Sequence, residues 1–127
     1  PYVGTVSLTT GQEFALLGVG GPVLTVNTGA PLDATVIANG GAAYVDALDL
    51  SGNDVASGLL CNTGVLWLDD SNSGSNDGLG LDATNCTVVV RRSTIAANSG
   101  GGLSVSGGTL DMTNSAVVGN GSGITVG

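Results

Sequence analysis

Leu66-Trp67-Leu68-Asp69-Asp70-Ser71, Val88-Val89-Val90-Arg91-Arg92-Ser93 and Leu110-Asp111-Met112-Thr113-Asn114-Ser115 are three versions of one segment, set 22 residues apart. Leu66, Val88 and Leu110 fall in one column, Leu68, Val90 and Met112 in the next apolar one, and Ser71, Ser93 and Ser115 in a third. Outward from this block, Leu59, Leu81 and Leu103 keep the same offset, as do Asn76, Asn98 and Asn120. One inserted residue carries the register backward, pairing Ala43 with Leu66, Val45 with Leu68 and Asn53 with Asn76. Before residue 40 the match weakens, and Leu24 and Val26 are set against Ala43 and Val45 at a shorter offset.

The contents of the repeat specify strands. Thr109-Leu110-Asp111-Met112-Thr113 and Gly102-Leu103-Ser104-Val105-Ser106 alternate polar and apolar with period two, and Asn-Gly, Ser-Gly and Gly-Gly pairs mark the turns between such runs. No glycine-free segment carries helical periodicity. A short repeat of strands and turns is satisfied by a solenoid in which like positions stack at roughly 4.8 Å. The fold class expected is therefore all-β, a parallel β-helix of about six coils, since 127 residues contain about six repeats of 22. Leucine-rich repeats have a similar period but need a fixed Leu-x-x-Leu-x-Leu pattern that is absent. The domain expectation is a single β-helix over 1–127, a fragment or repeating unit of a larger assembly, with irregular coils over 1–42 and regular ones over 43–127.

Composition agrees with a narrow tube and excludes several functions. Apolar residues make up 42% and aromatic residues 3%, so small and β-branched side chains supply the core. Asn53, Asn76, Asn98 and Asn120 are read as a structural ladder, each Asn turning the chain in the left-handed conformation while its amide bonds the coils above and below. The net charge is −8, and Arg91 and Arg92 are the only basic residues, which argues against nucleic acid as a partner. No apolar run is long enough for a membrane helix, so direct membrane insertion is not expected. With no His and no Lys there is no Ser-His-Asp triad and no Schiff-base lysine.

The stretch from Ser93 through Asn98-Ser99-Gly100-Gly101-Gly102-Leu103 to Thr109, and its successor from Asn114 through Asn120-Gly121-Ser122-Gly123 to Ile124, resemble the repeats of right-handed parallel β-helix proteins. They are most similar to repeats of bacterial surface proteins, including polymorphic outer-membrane proteins and autotransporter passengers. The pectate-lyase-like polysaccharide enzymes belong to the same superfamily. The resemblance implies a right-handed coil, a secreted or outer-surface location, and either scaffolding, adhesion or sugar cleavage as the task.

Candidate chemistry centres on Asp69-Asp70 one repeat before Arg91-Arg92. In register, Asp69 stacks on Arg91 and Asp70 on Arg92, with Asp46 one coil below Asp69. If the chain is an enzyme, Asp69, Asp70, Arg91 and Arg92 are its catalytic set, since the resemblance implies carboxylates holding Ca²⁺ and Arg as base for cleavage of acidic polysaccharides. Polygalacturonases carry an adjacent Asp pair, but with a His and a Lys that this chain lacks. The structural reading of the same residues is a cross-strand ion-pair ladder. Trp67 alternates outward between Leu66 and Leu68, so Trp67, Asp69 and Arg91 form a candidate ligand-binding group in which the ring stacks on a sugar or is covered by another chain. No calcium loop motif is present, which leaves Ca²⁺ only as an ion shared by carboxylates of separate coils. Cys61 and Cys86, 25 apart, sit about three positions from register after one coil is removed, and a disulfide between adjacent coils is favoured over two thiols.

The functional expectation is a structural or adhesive β-helix module of a secreted or cell-surface protein, stacking end to end with itself or with neighbouring β-helix segments, and meeting extracellular glycans. The alternative is a polysaccharide lyase, hydrolase or carbohydrate-binding β-helix. An ice-binding solenoid comes third, because it needs in-register Thr rows, and although Thr87 and Thr109 recur, Thr113 stacks on Arg91.

Overall fold

The computed structural model describes residues 2–8, 11–25 and 34–127. All its regular elements are strands, and every pairing between them is parallel. An N-terminal part holds β1 (Tyr2–Val3), β2 (Val6–Leu8), β3 (Glu13–Leu17) and β4 (Val23–Thr25). Coil I follows with β5 (Ala34–Asn39), β6 (Ala42–Asp46) and β7 (Asp49–Ser51). Coil II is β8 (Ser57–Asp69) and β9 (Asn72–Gly74), and coil III is β10 (Leu79–Arg91) and β11 (Thr94–Ala96). Coil IV is β12 (Gly101–Ser106), β13 (Thr109–Thr113) and β14 (Ala116–Val118), and β15 (Ile124–Val126) stacks on it.

The chain is a parallel β-solenoid with a repeat of about 22 residues and about four turns. Six coils are therefore too many. The N-terminal part is one cause: Val6 pairs with Val36, thirty positions on, so it takes more residues per rise than the regular coils. Leu24 pairs with Leu50, not with the column of Ala43, and the residues stacked under Ala43 and Val45 are Phe14 and Leu16. The shorter offset thus set Leu24 in the wrong wall, and Val26 lies outside the described residues.

Each coil has three walls. β2, β5, the first half of β8, the first half of β10, β12 and β15 stack as the first wall. β3, β6, the second halves of β8 and β10, and β13 make the second. β1, β4, β7, β9, β11 and β14 make the third. Leu66, Val88 and Leu110 lie directly over one another, as do Leu59, Leu81 and Leu103. Alternation along each strand sends one set of side chains into the tube, where Leu50, Leu59, Leu66, Leu68, Leu81, Ile95 and Leu103 are fully buried. The first wall approaches the third most closely at Gly58, Gly80 and Gly102: a Cβ on Gly80 would lie 2.3 Å from Ile95 Cγ2, and one on Gly102 would lie 2.5 Å from Val117 Cγ1. Only glycine fits there.

The corners bend through single residues of positive φ. Thr63 (58°) and Asn85 (54°) join the first wall to the second, Ala47 (57°), Asp70 (44°), Arg92 (48°) and Asn114 (50°) the second to the third, and Ser75 (54°) and Ala97 (57°) the third to the first. Asn53, Asn76, Asn98 and Asn120 follow that last corner and are not themselves left-handed. The bend falls one residue earlier, and it turns the Asn side chain into the tube. There Asn76 Nδ2 donates to Asn98 Oδ1 at 2.8 Å and to Leu50 O at 3.2 Å, while Asn76 N donates to the same Asn98 Oδ1 at 3.1 Å. The Asn53–Asn76 and Asn98–Asn120 steps repeat this pattern at 2.7 and 2.9 Å. Below Asn53, buried Thr35 exchanges hydrogen bonds with its amide. A serine ladder runs beside the second corner, where Ser71 N and Ser93 N donate to Ser93 Oγ and Ser115 Oγ, each at 3.1 Å. Among the described residues no buried side-chain nitrogen or oxygen lacks a partner, as a tube sealed from water requires.

Candidate functional site

The outer surface of the second wall carries the chemistry. Its middle outward column reads Ala15, Tyr44, Trp67, Val89, Asp111 from the N-terminal part to coil IV, and the column beside it reads Leu17, Asp46, Asp69, Arg91, Thr113. Trp67 does point outward and is half-buried. The Arg91 guanidinium lies over its ring, with Cζ 4.9 Å from the centroid, in cation–π geometry. On the other side the Tyr44 ring sits 6.0 Å away at 46°.

The strand register puts Arg91 over Asp69, yet the ion pair is made by Arg92. Arg92 Nε and Nη2 grip Asp69 Oδ1 and Oδ2 at 2.9 and 2.8 Å, a bidentate fork. The slip has a geometric cause. Arg91 is in the wall and lays its long side chain over Trp67, whereas Arg92 occupies the left-handed corner. Asp70 occupies the same corner one coil earlier, is exposed, and is held to coil III through Asp70 N to Arg91 O at 3.1 Å. The expected Asp69–Arg91 and Asp70–Arg92 ladder is thus replaced by one fork and one ring contact.

The Asp69 side chain is 12% exposed and that of Arg92 64%. The Arg92 hydrogen bonds hold the Asp69 carboxyl below the usual carboxylate range, against the opposing effect of burial. Tyr44 Oη donates to Asp69 Oδ2 at 3.5 Å. The Tyr44 phenol is pushed up, first by burial and then by the negative charges of Asp46 and Asp69, so it stays protonated. An ionised, forked carboxylate that already accepts a phenol is a poor proton acceptor. Among the described residues, no three or more His, Cys, Asp or Glu side chains gather where they could hold a metal ion.

Hollows flank this cluster, among them one of about 480 Å³ at the corner of Asp70 and Arg92. Another, of about 550 Å³, is lined chiefly by Glu13, Ala15, Ala42, Tyr44, Val65 and Trp67. A third, of about 390 Å³, lies among Asp69, Arg91, Arg92, Thr113 and Asn114. Tyr44 was not among the residues singled out from the sequence. Its signal was there: the 23-residue offset that sets Ala43 under Leu66 also sets Tyr44 under Trp67.

Cys61 and Cys86 are joined by a disulfide, with Cα atoms 6.3 Å apart. In register Cys61 stacks under Ala83 and Cys86 over Gly64. The bridge spans the first corner diagonally, from the end of the first wall in coil II to the start of the second wall in coil III. No family model, no curated protein and no solved structure matches this chain; what is shown is the architecture, a parallel β-solenoid.

Proposed function

We propose that this chain is a rigid structural or adhesive module of a secreted or cell-surface bacterial protein, of the right-handed β-helix kind resembling polymorphic outer-membrane proteins and autotransporter passengers. The observation that carries the reading is the continuous internal cross-linking. The asparagine ladder, the serine ladder and one disulfide tie successive coils together, and no described buried polar side-chain atom is left unpaired. Such a stack presents fixed outer walls, which suits display and contact. A disulfide is favoured in oxidising surroundings. The proposed partners are extracellular glycans and further β-helix segments or copies of the chain.

The test is cell adhesion by the purified, fluorescently labelled chain, run beside incubation with polygalacturonate and Ca²⁺ while unsaturated product is followed by ultraviolet absorbance. Saturable adhesion without product supports the module. Turnover that disappears in Arg91→Ala overturns it in favour of a polysaccharide lyase.

A further inference from the structure

The rarest residues of the chain are gathered on one wall. Aromatics make up only 3% of the sequence, yet Tyr44 and Trp67 are adjacent and outward, and both basic residues are beside them. Two outward rings in neighbouring coils expose apolar area that a purely structural wall has no need to carry. They are also locked in place. Arg92 fixes Asp69 by the two-pronged bond, Asp69 accepts from the Tyr44 hydroxyl, Tyr44 leans on Trp67, and Arg91 covers Trp67 from the coil above. The rings therefore lose little freedom when something docks against them, which is the cheapest route to affinity for a small ligand.

The hollow beside the rings has the size of a small-molecule site, about 550 Å³. Its floor is made of small side chains, Ala15 and Ala42, so that Tyr44, Trp67 and Val65 stand above it. It crosses three levels of the stack, Glu13, Ala42 and Val65 being register partners, which makes it roughly 10 Å long at about 4.8 Å per level. That length accommodates a short run of sugar rings. The lining contains one charged group, the exposed Glu13 carboxylate, and one hydroxyl, that of Tyr44. Neither arginine lines it.

We infer that this groove binds a neutral glycan, the C–H face of a pyranose ring lying on the alanine floor against Tyr44 and Trp67, with sugar hydroxyls donating to Glu13. The assignment rests on the adhesive reading above and gives it a ligand class. Three features select this occupant. An apolar floor with a polar rim matches a sugar, which has apolar faces and hydroxyl edges. A polyanion would meet Glu13 in the groove and Asp46 and Asp69 beside it; Arg92 is taken by Asp69, which leaves Arg91, over the Trp67 ring and outside the lining, as the one cation set against them. A peptide strand adding by main-chain hydrogen bonds would not lie in the groove, which crosses the face of a wall whose strand β6 is paired on both edges, with β3 and with β8.

Trp67 is the only Trp, so its emission reports the groove directly. The experiment titrates the full chain with cellohexaose, xylohexaose and maltohexaose, and in parallel with hexagalacturonate and hexalysine. The expected result is a saturable change in Trp67 emission with at least one neutral hexasaccharide and none with hexagalacturonate or hexalysine. Ala42→Leu, which fills the floor, should weaken that binding at least ten-fold, and Glu13→Gln several-fold, both with an unchanged melting temperature. The inference is overturned if none of the three neutral sugars alters the emission, if Ala42→Leu binds as well as the parent chain, or if only a charged probe binds. Cell adhesion that persists in Ala42→Leu overturns the groove assignment and leaves the module standing. Sugar binding by a parent chain that does not adhere to cells removes the adhesive role and leaves the groove.

Discussion

Asn76 uses every polar atom it has: its backbone N–H and amide donate to Asn98 and Leu50, and its carbonyl accepts from Asn53. Its substitution is therefore costly beyond the bonds it makes. Asn76→Ala takes the Oδ1 acceptor from the Asn53 backbone N–H and the amide donor from Leu50 O in a dry interior, while the Asn53 amide keeps Thr35 and Ser57. Thermal or urea unfolding should show a loss of about 2 kcal/mol. The left-handed corners predict the opposite sign. Ala97 is exposed at φ 57°, where a Cβ is disfavoured, so Ala97→Gly should raise stability by roughly 0.5–1 kcal/mol once the greater freedom of the unfolded glycine is set against the relief. At this scale the asparagine column was readable because identical residues recur at one spacing. The placement of the bend was not, since Ser75, Ala97 and Gly119 share no side-chain chemistry that marks the column.

Coils are joined by walls that the period-two alternation had already marked, and Leu66, Val88 and Leu110 stack accordingly. The alternation failed where the spacing changed. Leu24 was assigned to the second wall because the extra length of the N-terminal part cannot be located from a weak match, and strand register tolerates no error in that count. Between coils II and III the disulfide acts as a further tie. It closes a 25-residue separation, so Cys61→Ala combined with Cys86→Ala should cost about 3 kcal/mol, read as a lower melting temperature, with reductant producing a similar drop in the parent chain.

The whole molecule carries a charge of −8, and two of its carboxylates make stability depend on acidity in opposite directions. Burial raises the Asp82 pKa above the ordinary carboxylate value, so protonating it favours the fold, and stability should rise as pH falls from neutral through that raised value. Asp69 is held low by Arg92. Its contribution is full above the ordinary carboxylate range and is lost as pH falls through its depressed value. Melting temperature against pH should therefore pass through a mildly acidic maximum and then fall, and Asp82→Asn should remove the rise while leaving the fall. Moderate salt should also raise the melting temperature at neutral pH by screening the excess negative charge. The candidate site was legible in part: residue type flagged Trp67, Asp69 and Arg91, but only the bend at Arg92 decides which guanidinium takes the carboxylate. The disulfide has a mechanical corollary. In a chain pulled from its two ends, residues 62–85 sit behind the Cys61–Cys86 bond and bear no load, hiding about 80 Å of contour length that force spectroscopy should recover only after reduction.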